Sequence, residues 1–402
     1  MSLVPDAALL FTARTLRLFA YGFVAVVLVL YLSAIGLNDH RIGLLLSLTL
    51  AGDVIVSLYL TTRADALGRR RTLLVGAVLM LLAALAFIAT RDFMLLVLAA
   101  TLGVISPSGN EVGPFLAVEQ VALAQTSQGR DRTALFAWYN LAGSFATAAG
   151  SLAGGFVSAA LLRHGFGAVA SYRGPLIGYA LFGLALAAVF AKLSPAVEGA
   201  ATVRKVRSLF RVDRSRAIVM RLSALFALDS FAGGLVVQSI VAYWFYRRFG
   251  LSPAALGSIF FGANVLAGVS ALAAARIARR IGLVNTMVFT HLPSNILLLM
   301  VPFMPTLTLA IGVLLLRFSI SQMDVPTRQA FTMAAVDPTE RTAAAGITGV
   351  ARTTGAALAP ILAMPLIASL SRDWIPFVAA GVLKIAYDCM LLWSCRGVEL
   401  DG

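Results

Sequence analysis

Charge is what this sequence has least of. Only 12% of its residues are Asp, Glu, Lys or Arg, against about 25% in a soluble domain, while 60% are hydrophobic and the mean hydropathy is +0.90. A soluble chain of 402 residues could not hide that much apolar surface, because its surface-to-volume ratio does not allow it. Lysine is nearly absent, and the histidines, His40, His164 and His291, are too scattered for a metal set. Cys389 and Cys395 fit neither a disulfide framework nor a metal-ligand spacing. No glycine-rich Lys-Ser/Thr phosphate loop occurs, so ATP drive is not expected. No clustered nucleophile or acid pair suggests an enzyme. No cofactor and no metal are expected.

What the chain has instead is apolar length. Stretches long enough to cross a bilayer lie near residues 16–36, 42–62, 72–90, 93–122, 133–160 and 174–191, then near 218–245, 254–275, 284–304, 307–332, 342–370 and 374–394. The fourth, 93–122, is long enough to be tilted or bent. The expectation is an all-α membrane protein of twelve transmembrane helices in two six-helix halves. The halves are 1–191 and 217–402, joined by a basic linker over 192–216. Twelve spans put both termini on one side.

The formal net charge of +14 invites a nucleic-acid reading, but its distribution is topological. With the N-terminus cytoplasmic, only Arg41, Arg91, Arg163, Arg173, Arg247, Arg248 and Arg372 fall outside, and Arg317, Arg352 and Lys384 fall within spans. The remaining basic residues collect on the cytoplasmic side, which is the positive-inside rule. Tyr243, Trp244 and Tyr246 sit at an outer boundary, where amphipathic rings settle. The basic linker suits anionic lipid headgroups, so lipids are expected partners and nucleic acid is not. Alanine, glycine and arginine usage suggests a GC-rich bacterial genome and hence the plasma (bacterial inner) membrane. The first apolar run is long and lacks a small-residue cleavage site, so no cleavable signal is expected.

The two halves repeat. At an offset of 209, Glu119-Gln120 aligns with Arg328-Gln329, and Asp131-Arg132-Thr133-Ala134 with Glu340-Arg341-Thr342-Ala343. At the nearby offset of 214, Ala64–Gly68 aligns with Ala278–Gly282. Halves repeated in one orientation about an axis along the membrane normal are a transporter arrangement.

Between the second and third spans runs Arg63-Ala64-Asp65-Ala66-Leu67-Gly68-Arg69-Arg70-Arg71. Asp65, Gly68, Arg69 and Arg70 resemble the signature of the major facilitator superfamily, while Ala66 and Thr61 depart from it. The resemblance implies that Asp65 meets the N-terminus of span eleven and locks one gate state. Gly68 suits the tight turn. The gate level then holds Asp65, Gly68, Arg69, Arg70, Glu119 and Arg132 in one half, and Arg279, Arg328, Glu340 and Arg341 in the other. Glu119 and Arg328 are repeat-equivalent with opposite sign, which suggests a salt-bridge layer. Gly150-Ser151-Leu152-Ala153-Gly154-Gly155 in span five resembles the antiporter signature with Ser151 in place of proline; close helix packing explains it as well.

Ionisable groups within spans are costly and point to function. Span four breaks its apolar run with Ser106-Pro107-Ser108-Gly109-Asn110-Glu111-Val112-Gly113-Pro114, whose freed carbonyls could line a cavity. Glu111 lies about 12 Å deeper than Glu119 at the helical rise, and Arg317 is similarly deep. In the family, spans one, four, seven and ten line the central path. The resemblance therefore groups Tyr21, Asn110, Glu111, Asp229, Gln238, Asn264, Arg317 and Asp324 as substrate-site candidates. Desolvated carboxylates can carry protons, which selects Glu111 and then Asp229 for proton coupling. Arg317 cannot release its proton and suits an anionic group. Asp324 and Arg328 are spaced to neutralise one another, as are Lys384 and Asp388 in the last span.

The favoured reading is a monomeric, proton-coupled secondary transporter of a small organic solute, working by alternating access in the export direction. Two alternatives stand beside it: an uptake permease for an organic anion, motivated by Arg317 and Arg352, and a transporter-like sensor that binds without transporting.

Overall fold

The computed structural model describes residues 5–126, 132–198 and 212–395, and among these all regular structure is helical. The first half is built from α1 (Pro5–Ala25), α2 (Leu28–Ala34), α3 (Asp39–Leu67), α4 (Arg69–Ala89), α5 (Phe93–Leu102), α6 (Phe115–Thr126), α7 (Arg132–Arg163) and α8 (Ala168–Ala191). The second contains α9 (Arg216–Gly234), α10 (Gln238–Phe249), α11 (Pro253–Ile281), α12 (Leu283–Met300), α13 (Leu307–Phe318), α14 (Asp324–Ala334), α15 (Arg341–Ala357), α16 (Pro360–Ile367) and α17 (Ile375–Cys395). Ten helical stretches among the described residues are long and apolar enough to cross a membrane. The two expected spans outside that set, the fourth and the tenth, are each delivered in two shorter helices, α5 with α6 and α13 with α14.

These pieces start and stop for local reasons. The side chains of Asn38 and Asp92 cap α3 and α5 by accepting from the backbone N–H groups of Arg41 and Leu95, each at 2.9 Å. Thr306 caps α13 in the same way. Gly68 joins α3 to α4 with φ of 93°, and Gly282 joins α11 to α12 with φ of 85°. Both lie in the left-handed region that glycine enters without steric cost, and they are the aligned glycines of the repeat.

The interruptions follow the repeat as well. Span one breaks at 26–27 and span seven at 235–237, span four over 103–114 and span ten over 319–323. An offset of 209 carries 26–27 onto 235–236, and 103–114 onto a window that contains the break in span ten.

Contacts sort the chain into two units, Met1–Val203 with Gln238–Phe261, and Arg204–Val237 with Gly262–Gly402. In the first unit α1 lies against α7 almost backbone to backbone. A methyl group added at Gly150 or Gly154 would fall 2.0 Å from the carbonyl oxygen of Phe19 or Phe23. The small residues of span five are thus explained by close packing. In the second unit α9 and α15 approach in the same manner, with Gly355 against the Ala227 carbonyl and Gly234 against Ala356. Large apolar side chains such as Ile55, Met94, Leu181 and Trp393 (89% exposed) point outward, as lipid-facing residues do.

Candidate functional site

The interruption of span four needs outside partners, because no water in a bilayer core would satisfy its backbone. Neighbouring spans supply them. Tyr21 of α1 donates to the Val112 carbonyl at 3.1 Å, Tyr179 of α8 to Val104 at 2.5 Å, and Thr147 of α7 to Gly109 at 3.3 Å. The Ser239 N–H of α10 donates to the Pro107 carbonyl at 3.2 Å. Asp53 of α3 accepts from the Gly113 N–H at 2.5 Å. Gly109 and Gly113, with φ of 70° and 82°, make the turns that a side chain would oppose.

Beside this break stands a buried charge cluster that joins α1 to span four. Arg17 has no solvent exposure and grips Glu119, also unexposed, through both terminal nitrogens at 2.5 and 2.7 Å. Its Nε donates to Glu111 at 2.8 Å. Arg14 completes the cluster, reaching Glu111 at 2.9 Å and Asn140 at 3.1 Å. The Tyr139 hydroxyl donates to Glu119, and Arg14 lies over the Tyr139 ring at 4.4 Å. Charge-assisted contacts in a dry interior are the strong kind. Placing the start of span one near residue 16 left Arg14 and Arg17 at its edge and out of consideration. The helix instead begins at Pro5, so both arginines lie well inside it. Their spacing of three, which puts two cations on one helix face opposite Glu111, was the available signal.

The second unit holds the counterpart with signs reversed. Asp229 of α9 receives Lys384 at 2.5 Å and Arg328 at 3.0 Å. Arg328 also lies 3.3 Å from Asp324, the expected pairing four residues apart. His291 bonds Asp388 at 2.9 Å, and Asn295 donates to the same carboxylate at 2.9 Å. The expected Lys384–Asp388 neutralisation is therefore replaced: Lys384 turns to Asp229, and Asp388 takes His291 and Asn295. Arg317 and Arg352 have no salt-bridge partner among the described residues, and the Nε of each is buried without an acceptor.

The other candidates divide plainly. Tyr21 is fully buried and committed to Val112. Asn110 is exposed at the break. Gln238 donates to Ser151 at 3.2 Å, within the first unit. Asn264 is half-buried on α11. Glu119 and Arg328, expected as members of a salt-bridge layer at the gate level, are each paired inside their own unit, with Arg17 and with Asp229. The side chains of Asp65 and Arg132 lie outside the described residues. In the first unit the start of α4 is covered by Glu198, which accepts from the N–H groups of Arg69 and Arg70 at 2.6 and 3.1 Å. Arg279 is exposed at the end of α11, and Arg341 opens α15. Glu340 accepts three backbone N–H bonds, from Asp213, Arg214 and Ser215 at 2.7, 2.9 and 2.8 Å. The N–H groups of Arg214, Asp213 and Ser215 pull its carboxyl down to about 2.

Residues 10–360 match the family model described as Major Facilitator Superfamily. The chain belongs to this superfamily. As a member of the Major Facilitator Superfamily it is a multi-pass membrane protein of a transporter family and not an enzyme. It is 31% identical over 425 residues to the uncharacterized membrane protein YJR124C of Saccharomyces cerevisiae, covering 98% of this chain and 95% of the yeast protein. Solved superfamily folds superpose over nearly the whole chain. A bacterial homologue of the human lysosomal transporter Spinster gives a TM-score of 0.75 at 13% identity, covering 98% of each chain. The xylose transporter XylE of E. coli gives 0.74 at 14% identity, covering 99% of this chain and all of that one. The human organic anion transporter MFSD10 gives 0.61 at 15% identity, covering 96% and 99%. At these identities the likeness is one of fold.

Proposed function

We propose that this protein is a proton-coupled secondary transporter that moves a small organic solute by alternating access, in the export direction. One observation supports the reading above all: broken helices at repeat-equivalent positions, with Glu111 in one break and Arg317 at the edge of another. Paired interruptions in corresponding spans are the pattern of a midplane binding site. Asn110, Glu111, Gln238, Asn264, Arg317 and Asp324 belong to the proposed solute site. Tyr21 serves it by holding the break in shape.

Glu111 and Asp229 enter as coupling residues. Each ties a broken or interrupted span to a neighbour through cations, so neutralising either carboxylate loosens that tie. Gly68, Arg69, Arg70, Arg279, Glu340 and Arg341, with Asp65 and Arg132, form the proposed gate level, and Glu119 and Arg328 act as latches within their halves. The proposed setting is a bacterial inner membrane with both termini cytoplasmic and the chain a monomer, a placement that rests on composition and on the distribution of basic residues.

Proton flux in liposomes loaded with a pH dye tests this as a compound library is added to wild type and Glu111→Gln. A compound that triggers flux in wild type alone identifies the solute class and the role of Glu111. Triggered flux that survives in Glu111→Gln removes Glu111 from coupling.

A second reading is favoured by Arg317 and Arg352, cations inside spans that have no salt-bridge partner among the described residues. An uptake permease for an organic anion would supply the missing acceptor. Counterflow of labelled organic anions separates the two readings.

A further inference from the structure

One intramembrane carboxylate has no cationic partner among the described residues. Asp53 lies in the middle of α3, half-buried, in a helix whose apolar run is otherwise long enough to span. Among the described residues Glu111 and Glu119 are held by arginines, Asp229 and Asp324 by Arg328, and Asp388 by His291. Asp53 has no cation. Its two hydrogen bonds come from neutral donors, the Ser57 hydroxyl at 2.9 Å and the Gly113 N–H at 2.5 Å, and both end on Oδ1. Oδ2 receives no donor among the described residues.

The surroundings sharpen the contrast. The helices packed on α3 are α2, α4, α5 and α6. Helix α5 carries no titratable group, α2 offers only Tyr31, and α4 has only Arg69, Arg70 and Arg71 in its first turn. Helix α6 contributes Glu119, which Arg17 holds, and Asp92 caps α5 at its far end. Along α3 itself the nearest charged side chain is Arg63, ten residues on, which bonds Tyr59. Glu111, which Arg14 and Arg17 hold, lies two residues before the Gly113 that Asp53 bonds. A proton arriving at Glu111 removes the acidic partner of Arg14, whose other hydrogen bond is to the neutral Asn140, while Arg17 keeps Glu119. A proton arriving at Asp53 neutralises a lone charge and strands nothing, so it is the cheaper protonation inside a membrane.

The second observation is where Asp53 is attached. Gly113 closes the interruption of span four two residues after Glu111, at a positive φ. Beside it, Gly52 lets α3 touch the backbone of α5, where an added methyl would fall 2.1 Å from the Thr101 carbonyl. Asp53 therefore holds the far lip of the break while Gly52 holds the near one. We propose that Asp53 is a proton-binding site whose protonation, on Oδ2, weakens its bond to Gly113 and so loosens the interruption of span four. A carboxylate accepts a hydrogen bond about twice as strongly as a neutral acceptor, which gives the switch its direction. The atoms balance simply: one proton is gained from water at Oδ2, and the N–H of Gly113 keeps its hydrogen. The role of this site in transport rests on the proton-coupled reading above.

The test uses the purified full chain in lipid nanodiscs. Difference infrared spectra are recorded while pH is scanned through the physiological range, for wild type, Asp53→Asn and Glu111→Gln. The expected result is a protonated-carboxyl band that titrates in wild type and Glu111→Gln and is missing in Asp53→Asn. Hydrogen exchange of residues 103–114, corrected for intrinsic rate, should quicken on acidification in wild type and stay constant in Asp53→Asn. A band that persists in Asp53→Asn, or unchanged pH dependence of exchange in that variant, overturns the proposal. Should Asp53→Asn not fold, Ser57→Ala removes one donor and must move the midpoint of the band; an unmoved midpoint overturns the proposal equally. Solute-driven proton flux, measured with the same proteins reconstituted in dye-loaded liposomes, keeps the two readings apart. A titrating Asp53 without flux contradicts proton-coupled transport and leaves the site standing. Flux with a silent Asp53 contradicts only the site.

Discussion

Arg17 and Glu119 meet through paired hydrogen bonds of 2.5 and 2.7 Å with neither side chain exposed to solvent, and Arg328, the repeat partner of Glu119, makes the same inter-helix tie with the charges exchanged. Each half thus fastens its first helix to its broken fourth helix by a buried ion pair.

Removing one member of such a pair leaves a charge without compensation. Arg17→Met should destabilise the protein by about 3–5 kcal/mol, the range for breaking a buried pair. Glu119→Gln should cost less, because Arg17 retains Glu111 at 2.7 Å. Thermal unfolding in detergent checks the order, and equal effects in the two variants would contradict it.

The glycines of span five carry a packing prediction. Gly150→Val and Gly154→Val place methyl groups against the Phe19 and Phe23 carbonyls. Overpacking of this kind costs about 1–3 kcal/mol or more. Valine at Gly312, which has open space around it, should be tolerated. Yield of folded protein by size-exclusion chromatography reports the difference.

Glu340 sets a pH prediction outside the spans. Its folded carboxyl is lowered to about 2 by the N–H groups of Arg214, Asp213 and Ser215. Because the folded value lies below the unfolded one of about 4.3, the contribution is fully present above about pH 4.3. It is lost as pH falls through the folded value. The melting difference between wild type and Glu340→Gln should therefore be constant near neutrality and shrink only in acid. A difference that vanishes near neutral pH would count against the anchor.

Lys384 offers a functional contrast. It supplies the 2.5 Å contact to Asp229 from the last helix. Lys384→Met should impair transport while Cys389→Ser, on the exposed face of the same helix, should not. Equal transport by both variants would make Lys384 a packing residue.

Much of this architecture was legible in the sequence, and particular residues show where legibility ended. Apolar length and the repeat gave the helical membrane fold, and Gly68 and Gly282 stand at the turns that the alignment joined. The Pro-Gly-rich run at 106–114 announced a loosened span four, because its residues cannot sustain a helix. Span ten gave no such sign: its break at 319–323 contains neither glycine nor proline, and the Gln322 N–H donates at 3.3 Å to Ser270, fifty-two positions away. Arg14 and Arg17 were hidden by a helix boundary placed too late. Asp53 was hidden by its ordinary apolar neighbours, since the residue that gives it meaning is Gly113, sixty positions away. Long-range partners of this kind are not written in local periodicity.

The central claim is that the interrupted helices of spans four and ten carry the solute site. Hydrogen-exchange mass spectrometry, with and without a solute that raises the melting temperature, tests it most directly. The account predicts that added solute protects residues 103–114 and 319–323 more than the continuous helices around them. Protection spread evenly over the helices, or confined to other segments, would contradict it.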